Sequence, residues 1–590
     1  MTRSRSRSLS AALTNMGVRC VFGLPGTQNV ELFEELRTSS LRTVLATSEL
    51  AAAFMAVGYA RASGRPGVLV TIPGPGFTYA LPGLAEARLD SVPLIHIVVH
   101  KPLPPGRRFR HQEIQHQEIV RPLVKEVVEV RAAEGVPVAA ERAWRMAQEG
   151  EPGPVVLWVS SEVFTGVAGK GSGESASESP PLGGEMGPAE AAAWEPGRGT
   201  MPPDSTISLA PRLSLARRPI LFLGLGAVER AEQVHHLAER LGAPFFTTPS
   251  ARGVIPEDHS LCLGFDPDRG GVGALNELLA SSDLVLALGC KLGHNGTAGF
   301  RLKLPADRLV HVNTDAEALG ANYPASLLIR ARVEDVVGHL LESLPGEGPL
   351  SGWSQDEIAL WRSRIAGEAP GGPPEPSAPG VPSKTVRELV QVLREEIPRD
   401  AILVTDSGLH QVMIRRHFSV LTPRGLIMPT DFQSMGFGLP AAIGAKLAAP
   451  ERPVVAVIGD GGLAMSGMDL LTLARERLPV TVIVFNDGYL NLIRLQQERD
   501  FGHAHAVRLR NPDMEVLAEA CGLAFIRLDS DVRSRIREGL EGGAPILAEV
   551  PLGESREIRS VRRTTRVKSL ARQALGRRFV DRVKRLLGRD

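Results

Sequence analysis

Short apolar runs alternate with helical stretches along most of the chain, a pattern that predicts a parallel α/β architecture. In residues 1–165 the strand-like runs include Thr43–Thr47, Gly67–Ile72 and Pro93–Val99, with Leu50–Ser63 (LAAAFMAVGYARAS) reading as a helix. A second block, 211–345, opens on the strand Pro219–Gly224. A third, 383–553, carries the strands Pro453–Ile458 and Val480–Phe485 with a helical pattern running to Arg477 between them. The pattern lapses at 166–210, which is rich in Gly, Ser, Pro and Glu, and again at 346–382, where Pro and Gly cluster from Gly367 to Ser383. Such composition predicts linkers. In the remaining 554–590, Val567, Leu570, Ala571, Leu575, Phe579, Val583 and Leu586 recur at three-to-four spacing, which predicts an amphipathic helix.

At 590 residues the chain exceeds one hydrophobic core, in keeping with three domains and a tail. Its 43% hydrophobic and 23% charged residues are ordinary for a soluble protein, and the net charge of +1 argues against a nucleic-acid binder. That near-neutrality conceals a tail with thirteen Lys and Arg against four Asp and Glu, which leaves the rest of the chain at −8. The tail could dock on an acidic membrane, nucleic acid or protein surface; the favoured expectation is a helix packed on its own enzyme. Cys20, Cys262, Cys290 and Cys521 show no CxxC spacing, which suggests reduced thiols. No apolar signal core follows the basic N-terminus and no apolar run reaches the ~18 residues of a membrane span, so a soluble, cytoplasmic protein is expected.

The densest chemistry lies in the third block. The strand Pro453–Ile458 runs into Gly459-Asp460-Gly461-Gly462, and Val480–Phe485 runs into Asn486-Asp487-Gly488-Tyr489. In a parallel sheet both turns fall at the carboxyl edge, where such sheets bind ligands. Asp460 is a hard carboxylate, and the glycines let backbone N–H groups approach phosphate oxygens at a helix N-terminus. Mg²⁺ takes oxygen ligands and commonly bridges a carboxylate to phosphates. Alone, GDGG would mark only a strand-to-helix turn; its spacing to the Asn-Asp pair resembles the thiamine-diphosphate signature, in which GDG precedes Asn-Asn. Here the second Asn is Asp487. An ungapped alignment gives Asp487 the metal position, and a one-residue shift would give it to Asn486.

The first block supplies the other half. VFGLPGTQN at 21–29, SELAAAFMAVGYARASGRPGV at 48–68, GPG at 74–76 and ALPGLAEARLDSVPL at 80–94 resemble the pyrimidine-binding domain of the acetolactate-synthase family. DFQSMGFGLPAAIGAKLAAP at 431–450 resembles its diphosphate-binding domain, and ARGVIPEDH at 251–259 its central domain. The resemblance implies three parallel-sheet α/β domains (pyrimidine-binding, central and diphosphate-binding), with thiamine diphosphate and Mg²⁺ as cofactors. It makes Glu49 the carboxyl that hydrogen-bonds N1′ of the aminopyrimidine and favours the imino tautomer that deprotonates C2. Alone, Glu49 would be only a first-turn acid favoured by the helix dipole. Met435 becomes the wedge that bends the cofactor, and the Gln433 carbonyl the partner of its amino group. Gly408, His410, Gly459, Asp460, Gly461 and Gly462 become further cofactor contacts, and Asp460, Asp487 and the Tyr489 carbonyl the metal ligands.

The substrate side departs from the family. Its Phe-Gln-Glu is His111-Gln112-Glu113, which keeps Gln112 as the substrate-facing residue. Its Gly-Gln is Val99-His100, Thr27-Gln28 replace small loop residues, and Gln496 stands where biosynthetic enzymes carry a Trp. Each change makes the pocket more polar. Gly224-Leu225-Gly226 lacks the third Gly of a dinucleotide fingerprint. Lys291-Leu292-Gly293-His294 replaces the segment that relatives use for FAD, which leaves FAD doubtful. The expected activity is decarboxylation of a 2-oxo acid with carboligation to a second carbonyl, in a homodimer or homotetramer. The alternatives are simple decarboxylation or 2-hydroxyacyl cleavage on the same cofactor, and a catalytically inactive regulatory protein.

Overall fold

The computed structural model describes residues 8–101, 111–165, 209–265, 271–346, 348–368 and 386–552. The 554–590 tail and nearly all of the 166–210 linker lie outside them.

Three six-stranded sheets, every pairing parallel, follow one another along the chain. The first contains β1 (Cys20–Gly23), β2 (Arg42–Leu45), β3 (Gly67–Thr71), β4 (Leu94–His100), β5 (Glu126–Val130) and β6 (Pro154–Ser160), in the order β2-β1-β3-β4-β6-β5. The second contains β7 (Pro219–Leu223), β8 (Phe245–Thr247), β9 (Cys262–Phe265), β10 (Leu284–Leu288), β11 (Leu309–Asn313) and β12 (Leu327–Arg330), in the order β12-β11-β10-β7-β8-β9. The third contains β13 (Ile402–Thr405), β14 (Leu426–Ile427), β15 (Val454–Gly459), β16 (Val480–Asn486), β17 (Ala524–Arg527) and β18 (Ile546–Pro551). Its order, β14-β13-β15-β16-β18-β17, repeats that of the first sheet. Central strands such as β3, β7 and β13 are buried throughout, as expected of parallel strands covered on both faces.

The first and third domains are clasped through two helices. Glu49–Ser63 is buried almost all round, and it packs on Gly438–Ala448. Two glycines allow the backbones to touch. A Cβ on Gly58 would lie 2.2 Å from the Ala441 carbonyl oxygen, and one on Gly444 would lie 1.9 Å from that of Met55.

Composition misleads within 346–382, read as a linker. Residues Gln355–Glu368 form a helix that packs on β9 and on the helix Val272–Ser281, with Ile358 at 1% exposure. Three apolar residues over two turns (Ile358, Trp361, Ile365) against the middle core outweigh the Pro/Gly bias, which belongs to the residues after the helix.

Candidate functional site

In a parallel sheet ligands gather where the strand order reverses, outside the carboxyl ends of the strands. In the third sheet that point lies between β13 and β15. The turns leaving these strands are Asp406-Ser407-Gly408 and Gly459–Gly462, and Asn486–Tyr489 leaves the neighbouring β16. One cleft there is lined by Gly408, His410, Met435, Gly459, Asp460, Gly461, Gly462, Asp487 and Tyr489. The structure thus gathers nine of the expected cofactor and metal residues, with Gln433 alongside, its φ at +63° and its side chain tied to Ser407.

The glycines form a cradle that side chains would fill. A Cβ on Gly408 would stand 2.7 Å from His410 Cε1, one on Gly461 2.8 Å from Leu490 Cδ2, and one on Gly462 2.3 Å from Asp406 Oδ2. His410 sits in the first turn of the helix Leu409–His417. Burial pulls its pKa down to about 4, so the ring is neutral at physiological pH, and its buried Nε2 has no partner among the described residues. An orphaned ring nitrogen and an open backbone cradle are the features that an anionic diphosphate would satisfy.

Two carboxylates, Asp460 and Asp487, share the cleft. Asp460, at 4% exposure, accepts from the backbone N–H of Gly461 (2.9 Å) and Gly488 (2.7 Å) and from Asn511 Nδ2 (2.6 Å). Asp487 accepts from the Tyr489 N–H (3.0 Å) and Asn491 Nδ2 (2.7 Å). Burial raises both pKa values, that of Asp487 to about 6, and for Asp487 the charge of Asp460 adds to the rise. Two acids that repel in a desolvated cleft are relieved by a divalent cation with a preference for oxygen. Asn486, the other candidate, turns away: it donates to Glu549 Oε1 (2.7 Å) and accepts from Asn511 (2.7 Å).

A carboxyl with a folded value near 6 and an ordinary value near 3.8 opposes folding increasingly as pH climbs between them, and fully above 6. Without metal and cofactor, Asp487→Asn is therefore expected to raise the Tm at pH 7. Its advantage over the unsubstituted chain should shrink as pH falls from 6 to 4 in thermal melts.

Two contributors went unrecognised in the sequence. Asp406, fully buried, accepts from the N–H groups of Ser407 (2.7 Å), Gly436 (2.9 Å) and Phe437 (3.4 Å), bracing the Met435 loop against the GDGG turn. Burial pushes its pKa up to about 7 despite these bonds. Its place at the end of β13 was the available signal. Asn511, which bridges Asp460 and Asn486, lies in a loop with no motif to mark it.

The first sheet has its own reversal, between β1 and β3, and the other group of candidates collects there. Glu49 opens its helix behind the N-cap Ser48 and is half-buried. A Cβ on Gly76 would lie 2.9 Å from Glu49 Oε1, and one on Gly74 2.8 Å from Gln112 Cβ, so Glu49 and Gln112 sit on one Gly-Pro-Gly turn. Gln28 is buried and bonded to Gln112, while Thr27 beside it is exposed. His100 stacks on Trp158 (centroids 5.2 Å apart). His111 is exposed, and so is Gln496, on the helix Asn491–Phe501, whose share of the diphosphate cleft ends at Ile493. No residue of the first domain lines that cleft among the described residues.

A separate cleft lies between the three sheets, lined by Gly224–Gly226, Lys291–Gly293, Asn313–Asp315 and residues of the flanking domains. Lys291 spans it, ion-paired with Glu151 and donating to the Leu89 carbonyl (2.9 Å).

Repeated parallel sheets, a glycine cradle at the third reversal and paired acids beside it define a cofactor-dependent enzyme that binds a diphosphate. Family models place it further: "Thiamine pyrophosphate enzyme, N-terminal TPP binding domain" matches residues 4–119, the central domain 207–340 and the C-terminal TPP binding domain 406–550. The chain belongs to the thiamine pyrophosphate enzyme family. It is 31% identical to a probable 2-ketoarginine decarboxylase of Pseudomonas aeruginosa, over 89% of both chains. It is 32% identical to the large subunit of acetolactate synthase isozyme 1 of Escherichia coli, over 82% of both, and 28% identical to a probable acetolactate synthase large subunit of Methanocaldococcus jannaschii, over 92% of this chain and 91% of that one. The protein is an acetolactate synthase-like, thiamine-diphosphate-dependent enzyme of the carboligase and decarboxylase kind. None of its described helices is long and apolar enough to cross a membrane.

Proposed function

We propose that this enzyme decarboxylates a 2-oxo acid and joins the product to a second carbonyl compound, with Mg²⁺ alongside thiamine diphosphate. The observation that carries the reading is the third-domain cleft, where a glycine cradle, a neutral His410 and the facing Asp460 and Asp487 meet. Bound there, the cofactor supplies an electron sink for the carbon that loses CO₂. The chain's own part is to hold and orient. Gly408, His410 and Gly459–Gly462 take the diphosphate; Asp460, Asp487 and Tyr489 take the cation; Met435 and Gln433 set the bend of the cofactor. Glu49 exchanges the proton at the pyrimidine ring, and Gln112 faces the substrate.

Glu49 and the diphosphate cleft lie on different domains, and among the described residues none of the first domain lines the cleft of its own chain. The reading therefore completes each site with the first domain of a second copy, making a homodimer the smallest active unit. It assigns no FAD to the middle cleft.

A decarboxylase without carboligation is the second reading. The polar Gln28, Gln112, His100 and His111 on the substrate side favour it, as does the likeness to a probable 2-ketoarginine decarboxylase. The holoenzyme incubated with pyruvate and with 2-ketoarginine, with products identified by mass spectrometry, separates the two. Acetolactate from pyruvate is the expected outcome, an aldehyde alone supports the second reading, and no turnover of any 2-oxo acid overturns both.

A further inference from the structure

Gln112 occupies the left-handed region, with φ +59°, and its Cβ lies against Gly74. Its amide could face the site with either end, because the oxygen and nitrogen of a Gln differ little in shape and oppositely in chemistry. One end accepts hydrogen bonds and would repel a carboxylate; the other donates and would hold one.

The neighbours decide which. Lys101, just past β4, donates its backbone N–H to Gln28 Oε1 (2.9 Å). A backbone N–H can only donate, so the oxygen of Gln28 is committed to it and the Gln28 NH₂ must point the other way. That NH₂ donates to Gln112 Oε1 (2.5 Å). The Gln112 oxygen is thereby committed in turn, and Gln112 Nε2 is left as the outward end, with no partner among the described residues. Gln28 is 8% exposed, which shields the relay from competing water. The loop that carries it is held by Asn29, fully buried, which accepts from the Gly26 N–H (2.7 Å) and donates to the Leu24 carbonyl (3.1 Å).

We propose that Gln28 is a positioning residue for substrate selection: it passes the polarity of the Lys101 N–H to Gln112, so that Gln112 presents its NH₂ to an oxygen of the 2-oxo acid. The proposal rests on the reading of Gln112 as the substrate-facing residue. Gln28 then sets affinity for an acid bearing a carboxylate without touching it. The sequence shows a Gln in this loop, but the direction of the relay exists only once β4, the 24–29 loop and Gln112 are brought together.

Gln28→Glu tests the direction at nearly constant shape. Ionised, the introduced carboxylate still accepts from the Lys101 N–H but can no longer donate, so it draws the Gln112 NH₂ inward and turns the oxygen to the substrate. Protonated, it can donate to Gln112 Oε1 and restore the relay. The holoenzyme variant is expected to show a KM for pyruvate and for 2-ketoarginine raised about 10- to 100-fold at pH 8, the worth of one hydrogen bond to a charged group. The rise should shrink at pH 6, while Tm and C2–H exchange of the bound cofactor stay near those of the unsubstituted enzyme. Gln28→Met should raise KM at both pH values, and Gln112→Ala should raise it with no further effect of adding Gln28→Glu. The dissociation constant of methyl acetylphosphonate, a pyruvate analogue that cannot lose CO₂, should follow the same order. If Gln112→Ala raises KM but Gln28→Glu leaves it within twofold at both pH values, the relay is wrong and the reading of Gln112 stands. If Gln112→Ala leaves KM unchanged, that reading falls and takes the relay with it.

Discussion

Glu49→Gln is expected to slow exchange of the C2 hydrogen of bound thiamine diphosphate by about 10²–10⁴-fold, the usual worth of a positioned acid–base group. The substitution keeps the size of the side chain and its seat on Gly76, so cofactor affinity and Tm should change little. What it removes is a group able to give and take a proton at the pyrimidine ring. Rapid quench in deuterated buffer followed by NMR of the released cofactor measures the rate directly, without knowledge of the substrate. A rate near that of the unsubstituted enzyme would remove Glu49 from the mechanism.

Asp460→Ala is expected to weaken Mg²⁺-dependent retention of the cofactor by about 10²-fold or more, because loss of even an outer partner of a metal ligand costs 10–100-fold. Asp460 also holds the Gly488 N–H and Asn511, so its removal loosens the loop that carries Asp487 and Tyr489. Equilibrium dialysis of thiamine diphosphate at fixed Mg²⁺ reads the effect. Asp487→Ala should weaken retention as well, whereas Asn486→Ala should not, since Asn486 is engaged with Glu549 and Asn511. The reverse order would move the metal ligand by one residue. The same two variants test the assembly: chains bearing Glu49→Gln mixed with chains bearing Asp460→Ala should regain part of the activity after subunit exchange, because one of the two hybrid sites is intact. Hybrids that form and stay inactive would point to sites built within one chain.

Much of the fold is legible in the residue pattern. Runs such as Gly67–Ile72 and Val480–Phe485 are apolar but for one Thr each because strands covered on both faces have no polar side, which is what distinguishes parallel from half-exposed antiparallel sheets. The structure places them at Gly67–Thr71 and Val480–Asn486. The glycine-acid turns were legible for a related reason: a turn that brings backbone to phosphate tolerates few residue types, so composition there reports on chemistry. The helix Gln355–Glu368 was missed because the Pro and Gly after it dominate the local composition, whereas its burial depends on β9 some ninety residues earlier.

The sequence by itself determined the strand and helix order and the chemical identity of the site, since local period and motif spacing are properties of neighbouring residues. Only the tertiary structure shows that Asn486 is engaged while Asp487 lines the cleft, because that difference turns on Glu549 and Asn511, which belong to other elements. It alone introduced Asp406 as the brace between two loops, and it alone gave Gln112 a direction through Gln28 and the Lys101 N–H. Hydrogen-bond polarity is a relation between segments distant along the chain, and no pattern within any one of them encodes it.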